Sequence, residues 1–133
     1  MTGAHEERQH DPSMLENGNI LVFDNGVRTR RSRIVELDPL TREIVWTFEG
    51  DPPAEFYSIQ MGACQGLANG NVLVTESQKG RAFETTRDHQ VVWEFFNPDV
   101  VHVRGVQVRG RIPRMMRFDR EFFAAAPLGN AGS

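Results

Sequence analysis

The chain has 133 residues, 18 acidic and 15 basic side chains, and a net charge of −3. That is the size of one small domain, with too much apolar content at 39% for a wholly disordered chain. The balance gives no drive toward nucleic acid or anionic lipid, no apolar run nears the roughly 20 residues of a membrane helix, and a single cysteine, Cys64, excludes a disulfide framework and a cysteine-built zinc site.

Residues 1–8 read as a polar arm, and the stretch from Met1 to Asp11 shows no signal peptide. A short inner strand is expected at about Asp11–Leu15. Asn17-Gly18 then sits between apolar runs, a strong hairpin signal in which both turn positions are expected to take positive φ. Strands follow over Asn19–Asp24, Ser32–Leu37 and Glu43–Phe48. They are broken by Asp24-Asn25-Gly26 and by the turn chemistry of Asp38-Pro39-Leu40-Thr41-Arg42.

The same order of parts then returns, which makes an internal repeat the chain's most informative feature. Met14–Val22 recurs as Gly66–Val74 at an offset of 52, and Ile44–Phe48 recurs as Val91–Phe95 at an offset of 47. The copies differ by a five-residue indel. The second copy gives an inner strand within Ser58–Leu67, then Val72–Glu76, Arg81–Thr85 and Val91–Phe95, with a turn at Arg87-Asp88-His89. Cys64 falls in an apolar strand, as a small buried residue. His89 reads as a solvated turn residue. A tryptophan closes each copy, at Trp46 and Trp93, suited to packing between neighbouring sheets.

Four short strands repeating every 45–50 residues match a β-propeller blade, and the apolar period of 2 argues against helical repeats. The expected fold is all-β: two four-stranded antiparallel blades at residues 9–50 and 51–98. Asp51-Pro52-Pro53 marks the crossing between them. Residues 99–133 form a short strand within Val101–Val108 and a basic tail whose last residues, Ala124–Ser133, fray. Residues 101–133 carry six arginines against Asp119 and Glu121, and they are expected to pack on the acidic remainder of the fold. Closed propellers use 4–8 blades, so the ring is incomplete. The chain is expected to be a fragment of a longer protein, with several copies closing a ring as the alternative.

The ordered set Gln9-His10-Asp11-Pro12, Asn17-Gly18-Asn19, Leu21-Val22-Phe23-Asp24-Asn25-Gly26, Ser32-Arg33, Glu36-Leu37-Asp38-Pro39 and Val45-Trp46 resembles the arylsulfotransferase family of β-propellers. The second copy continues the likeness through Gly62, Gln65, Asn69-Gly70-Asn71, Glu76-Ser77, Gly80-Arg81 and Val92-Trp93-Glu94. The resemblance implies transfer of a sulfuryl group from a phenolic sulfate ester to another phenol. It implies a transiently sulfated histidine in a central channel, no nucleotide donor or other cofactor, and periplasmic or secreted location.

Carried onto this sequence, the resemblance makes His10 the candidate nucleophile or a supporting sulfuryl contact. A neutral imidazole nitrogen near pH 7 can attack sulfur and split one transfer into two steps. Arg28 is the candidate clamp on the sulfuryl oxygens, with Arg33 as its rival in a loop that also holds Arg30 and Arg31. Asn25 and Gln65 are candidate amide contacts. Their structural alternatives are a turn residue and a hydrogen-bonded core amide. No metal site is expected. The competing functions are a non-catalytic propeller that binds protein or carbohydrate and, last, a blade pair of a quinone-dependent dehydrogenase.

Overall fold

The computed structural model describes residues 9–26, 28–50, 55–58 and 61–118, and the side chains of these from Pro12 onward. The polar arm, the Asp51-Pro52-Pro53 crossing and the Ala124–Ser133 tail lie outside the described residues. Apart from a 3-10 turn at Ser77–Lys79, all regular structure described is β.

The first antiparallel sheet has the order β1 (Gln9–Met14), β2 (Ile20–Asp24), β3 (Arg33–Asp38), β4 (Glu43–Phe48). The second repeats it as β5 (Ala63–Gly66), β6 (Val72–Glu76), β7 (Arg81–Thr85), β8 (Val91–Phe96). Even the irregularity repeats. A register shift follows Glu36 in β3 and Glu84 in β7, so Val45 and Val92 fall out of pairing at matching places. An extra residue at one place bends a strand and increases its local twist.

The Asn-Gly turns differ in detail from the expectation. Gly18 and Gly70 share φ of 90°, but Asn17 and Asn69 keep negative φ. Gly18 N–H donates to Leu15 O at 2.9 Å and Leu15 N–H to Asn19 O at 2.8 Å. This is a three-residue loop in which only the glycine needs the left-handed region. The asparagines are instead chosen for their side chains.

The two sheets meet face to face through Leu21, Phe23, Ile34 and Phe48 on one side and Cys64, Val72, Val74 and Phe83 on the other. Phe56, from the connection, stands edge-on to Phe23, Phe48 and Phe83 with ring centroids 5.6–5.7 Å apart. Such edge-to-face pairs suit the ring quadrupoles. Burial in this apolar core pushes the Cys64 thiol up to about 12, so it stays protonated and inert near neutral pH.

The single strand expected within Val101–Val108 is a hairpin. β9 (Val100–Val103) pairs with β10 (Val106–Arg109) through Arg104-Gly105, both at positive φ (51° and 78°). That two-residue turn matches the twist of the strands it joins. The hairpin is seated by Asn97, whose amide donates to Gly110 O at 3.2 Å, and by Arg109, whose guanidinium lies 4.9 Å from the Phe96 ring centre.

Candidate functional site

Four of the five residues of the indel have one structural address. The β2–β3 connection is eight residues long, 25–32, whereas its counterpart β6–β7 is four, 77–80. The longer loop carries Arg28, Arg30 and Arg31 and leads into Arg33. It curls around Gly26. A Cβ there would lie 2.0 Å from Arg31 O, so only glycine fits. Arg30 N–H donates to Gly26 O at 2.8 Å, and the Thr29 hydroxyl bridges Gly26 O and Arg31 O.

The loop walls a cleft of about 430 Å³ lined by Asp24, Gly26, Arg28, Thr29, Arg31, Ser32, Arg33 and Glu49. Three guanidinium-bearing residues converge there against two carboxylates. That chemistry suits a small anion or anionic ester, because guanidinium groups bind such oxygens in pairs. The volume lies in the range of small-molecule sites.

The candidate residues fall in three places. His10 is on β1, in register with Phe23 and next to the Gln9–Asp24 pair. Its backbone therefore lies at the same end of the sheet as the arginine loop. The His10 side chain lies outside the described residues. Arg28 is exposed on the cleft wall. Arg33 also lines the cleft, and its Nε donates to Asp24 Oδ2 at 3.0 Å.

Asn25 is fully buried behind the loop. Its side-chain amide donates to Ser58 O at 2.6 Å and Met61 O at 2.9 Å, and its backbone carbonyl accepts from Ser32 Oγ at 2.9 Å. Ser32 Oγ in turn accepts the Ser58 N–H at 2.8 Å. Asn25 and Ser32 thus tie the arginine loop to the chain leading into β5. Gln65 lies elsewhere, on the far face of the second sheet. Its amide bonds the Arg117 backbone twice, donating to O and accepting from N–H, both at 2.8 Å.

Sequence reasoning missed a pair of carboxylate sockets. In the first sheet the buried Glu36 accepts from Asn19 Nδ2 at 2.7 Å, Asn17 Nδ2 at 3.5 Å and the Arg87 guanidinium. Arg87 also lies 4.6 Å from the Trp46 ring centre, and Trp46 Nε1 donates to Arg87 O at 2.9 Å. In the second sheet the buried Glu84 accepts from Asn71 at 2.7 Å, Asn69 at 3.4 Å and the Arg117 guanidinium, which lies 5.1 Å from the Trp93 ring centre. The repeat of Glu36 as Glu84, each three residues after a strand arginine, was the available signal.

Burial pushes the Glu36 carboxyl up, but hydrogen bonds from Asn19 and Arg87 outweigh it and hold the group below the usual carboxylate range. Glu84 is held below that range chiefly by the Arg117 hydrogen bond, then by Asn71, against a smaller opposing effect of burial. His89 is exposed, but it is not simply solvated: its Nε2 lies 2.7 Å from Thr47 O and its ring stacks on Trp46.

A larger cleft of about 790 Å³ lies between the outer strands, against Glu49, Glu55, Glu76, Lys79, Arg81, His89 and Glu94 among others. Its central carboxylate, Glu76, is already satisfied by Lys79 at 3.0 Å, Arg81 at 3.1 Å and the Tyr57 N–H at 3.1 Å. Among the described residues no cluster of His, Cys, Asp and Glu could hold a metal ion.

Residues 2–98 match the family model described as Arylsulfotransferase (ASST). No curated protein matches. Among solved structures, the chain is similar to a protein of unknown function from Bacteroides caccae, at 22% identity and a TM-score of 0.48. The likeness covers 66% of this chain and 31% of that one, so the chain spans less than a third of the length it matches.

Proposed function

The chain belongs to the arylsulfotransferase family, and we propose that it supplies two blades of an enzyme that moves a sulfuryl group from a phenolic sulfate ester to a phenol. The observation that carries this reading is the end of the first sheet. There the β1–β2 register sets the His10 backbone beside a loop whose Arg28, Arg31 and Arg33 line one cleft.

In the proposed chemistry a neutral His10 ring nitrogen attacks the ester sulfur. The bond from sulfur to the phenolic oxygen breaks, and the phenolate leaves with the electron pair and takes up a proton. The acceptor phenol then gives up its proton as its oxygen attacks the same sulfur, and the nitrogen–sulfur bond breaks to return neutral His10. Arg28 offsets the charge on the sulfuryl oxygens, and a preorganised donor of this kind is worth about 100-fold or more in rate. Arg33, already tied to Asp24, sets the edge of that anion site. Asn25 acts on the site from behind, by holding the loop. Domain limits at residues 9–50 and 51–98 follow from the same reading.

A second reading keeps support from particular bonds. The amide hydrogens of Asn25, the Nε of Arg33 and the amide of Gln65 are all engaged in structural hydrogen bonds. A non-catalytic propeller module would use them in this way. The two readings part in one assay, transfer from p-nitrophenyl sulfate to phenol. The catalytic reading expects His10→Ala to abolish transfer and Arg28→Ala to slow it about 100-fold. Unchanged transfer in His10→Ala rejects it in favour of the binding module.

A further inference from the structure

The second carboxylate socket is filled in an unexpected way. In the first sheet, the arginine on Glu36 and Trp46 comes from the β7–β8 turn of the neighbouring sheet. In the second, the arginine on Glu84 and Trp93 comes from residues 112–118, which belong to neither sheet.

That segment is fastened along the whole outer face of the second sheet. Ile112 N–H donates to Ser77 O at 3.1 Å, and Ser77 Oγ to Pro113 O at 3.2 Å. Met115 N–H donates to Thr75 Oγ1 at 2.9 Å, and Gln65 bonds both sides of the Arg117 backbone. The register puts Gln65, Leu73, Glu84 and Trp93 in one row across this face. The matching row of the first sheet, through Leu21, Glu36 and Trp46, is the one the second sheet covers.

We infer that residues 112–118 are a strap standing in for a following blade, with Arg117 in the part of Arg87, and that they block this face from a second copy of the chain. The second copy is the occupant because it offers a face built on the same plan as an existing interface. The row Met14, Ile20, Leu37, Ile44 corresponds by register to Gly66, Val72, Thr85, Val91, and Val22 corresponds to Val74. The second of these faces already packs on the first sheet. The first remains open: Met14 is 74% and Ile44 50% exposed. Joining the two unlike faces makes a head-to-tail contact, which closes a ring or runs on as a filament. The strap prevents that contact. This inference stands apart from the sulfuryl chemistry, and its test does not involve transfer.

Charge reversal at the socket, Arg117→Glu, sets a carboxylate against Glu84 and expels the strap. The wild-type chain is expected to keep one mass across a concentration series in sedimentation equilibrium. Arg117→Glu, with its far-UV spectrum retained, is expected to gain mass with concentration. Adding Val22→Asp on the opposite face is expected to return it to the wild-type mass. Hydrogen exchange on the wild-type chain gives a measurement that needs no variant: the amides of Ile112, Met115 and Arg117 are expected to be protected together. A constant mass in Arg117→Glu overturns the inference. So does association that Val22→Asp leaves intact, or exchange of those three amides at the unprotected rate.

Discussion

The two sheets share a strand plan, a bulge and a carboxylate socket, and they differ most in one connection. Eight residues join β2 to β3, and four join β6 to β7. The short connection is a tight 3-10 turn closed by Gly80 in the left-handed region, and Gly80 N–H returns to Ser77 O at 3.1 Å. The long one lines a cleft with arginines. One repeat has the tight connection, and the other carries a longer loop that brings three arginines to a cleft. Repetition therefore sets the scaffold, and the departure from it marks where function is to be sought.

The largest effect should come from removing what the sheets hold in common. Phe56, 1% exposed, contacts aromatic rings of both. Phe56→Ala is expected to cost about 3–5 kcal/mol, read by urea unfolding. A loss below about 1 kcal/mol would show that the sheets do not depend on a shared core.

The sockets should come next, and unequally. Glu36→Ala strips three donors at the contact between the sheets and is expected to cost close to 3 kcal/mol, at the upper end for such groups. Glu84→Ala removes the same chemistry, from Asn69, Asn71 and Arg117, where the arginine ties down a strap rather than a second sheet, and about 1 kcal/mol is expected. Equal losses would break the comparison. Asn25→Ala deprives two carbonyls of one donor each, and about 2 kcal/mol is expected, together with a weaker hold on the arginine loop.

Acid should reveal the same two groups. Both carboxyls titrate below their ordinary range in the folded chain. The unfolded chain therefore takes up protons first as pH falls. The stability the sockets contribute is fully present above the ordinary carboxylate range and is lost as pH falls through that range and on through the lower folded values. A Glu36→Gln, Glu84→Gln double variant is expected to show a flatter decline of stability over that window. A decline as steep as that of the wild type would remove the sockets from the account.

Much of this fold was legible because apolar alternation and turn residues are local. β4, β6 and β7 fall where the sequence places them, and β2, β3 and β8 agree to within one residue at their ends. The Val100–Arg109 hairpin looks like one strand in sequence because Arg104 is not a usual residue for positive φ, although Gly105 beside it is a turn signal. The partners of Asn25 and Gln65 were not legible. Asn25 bonds Ser58 and Met61, and Gln65 bonds Arg117 52 residues away. Such pairings depend on how sheets stack, which no local pattern records. The sockets lay between these cases. Each glutamate repeats in the sequence, but its arginine comes once from a turn and once from the strap.

The central claim is that the first sheet carries the reacting histidine beside its arginine loop. The direct measurement is intact-mass and peptide mapping of the protein after brief exposure to p-nitrophenyl sulfate, quenched at alkaline pH. The account predicts one added sulfuryl group, mapped to His10, absent in His10→Ala and reduced in Arg28→Ala. A sulfuryl group mapped to another residue, or none at all while transfer proceeds, would contradict it.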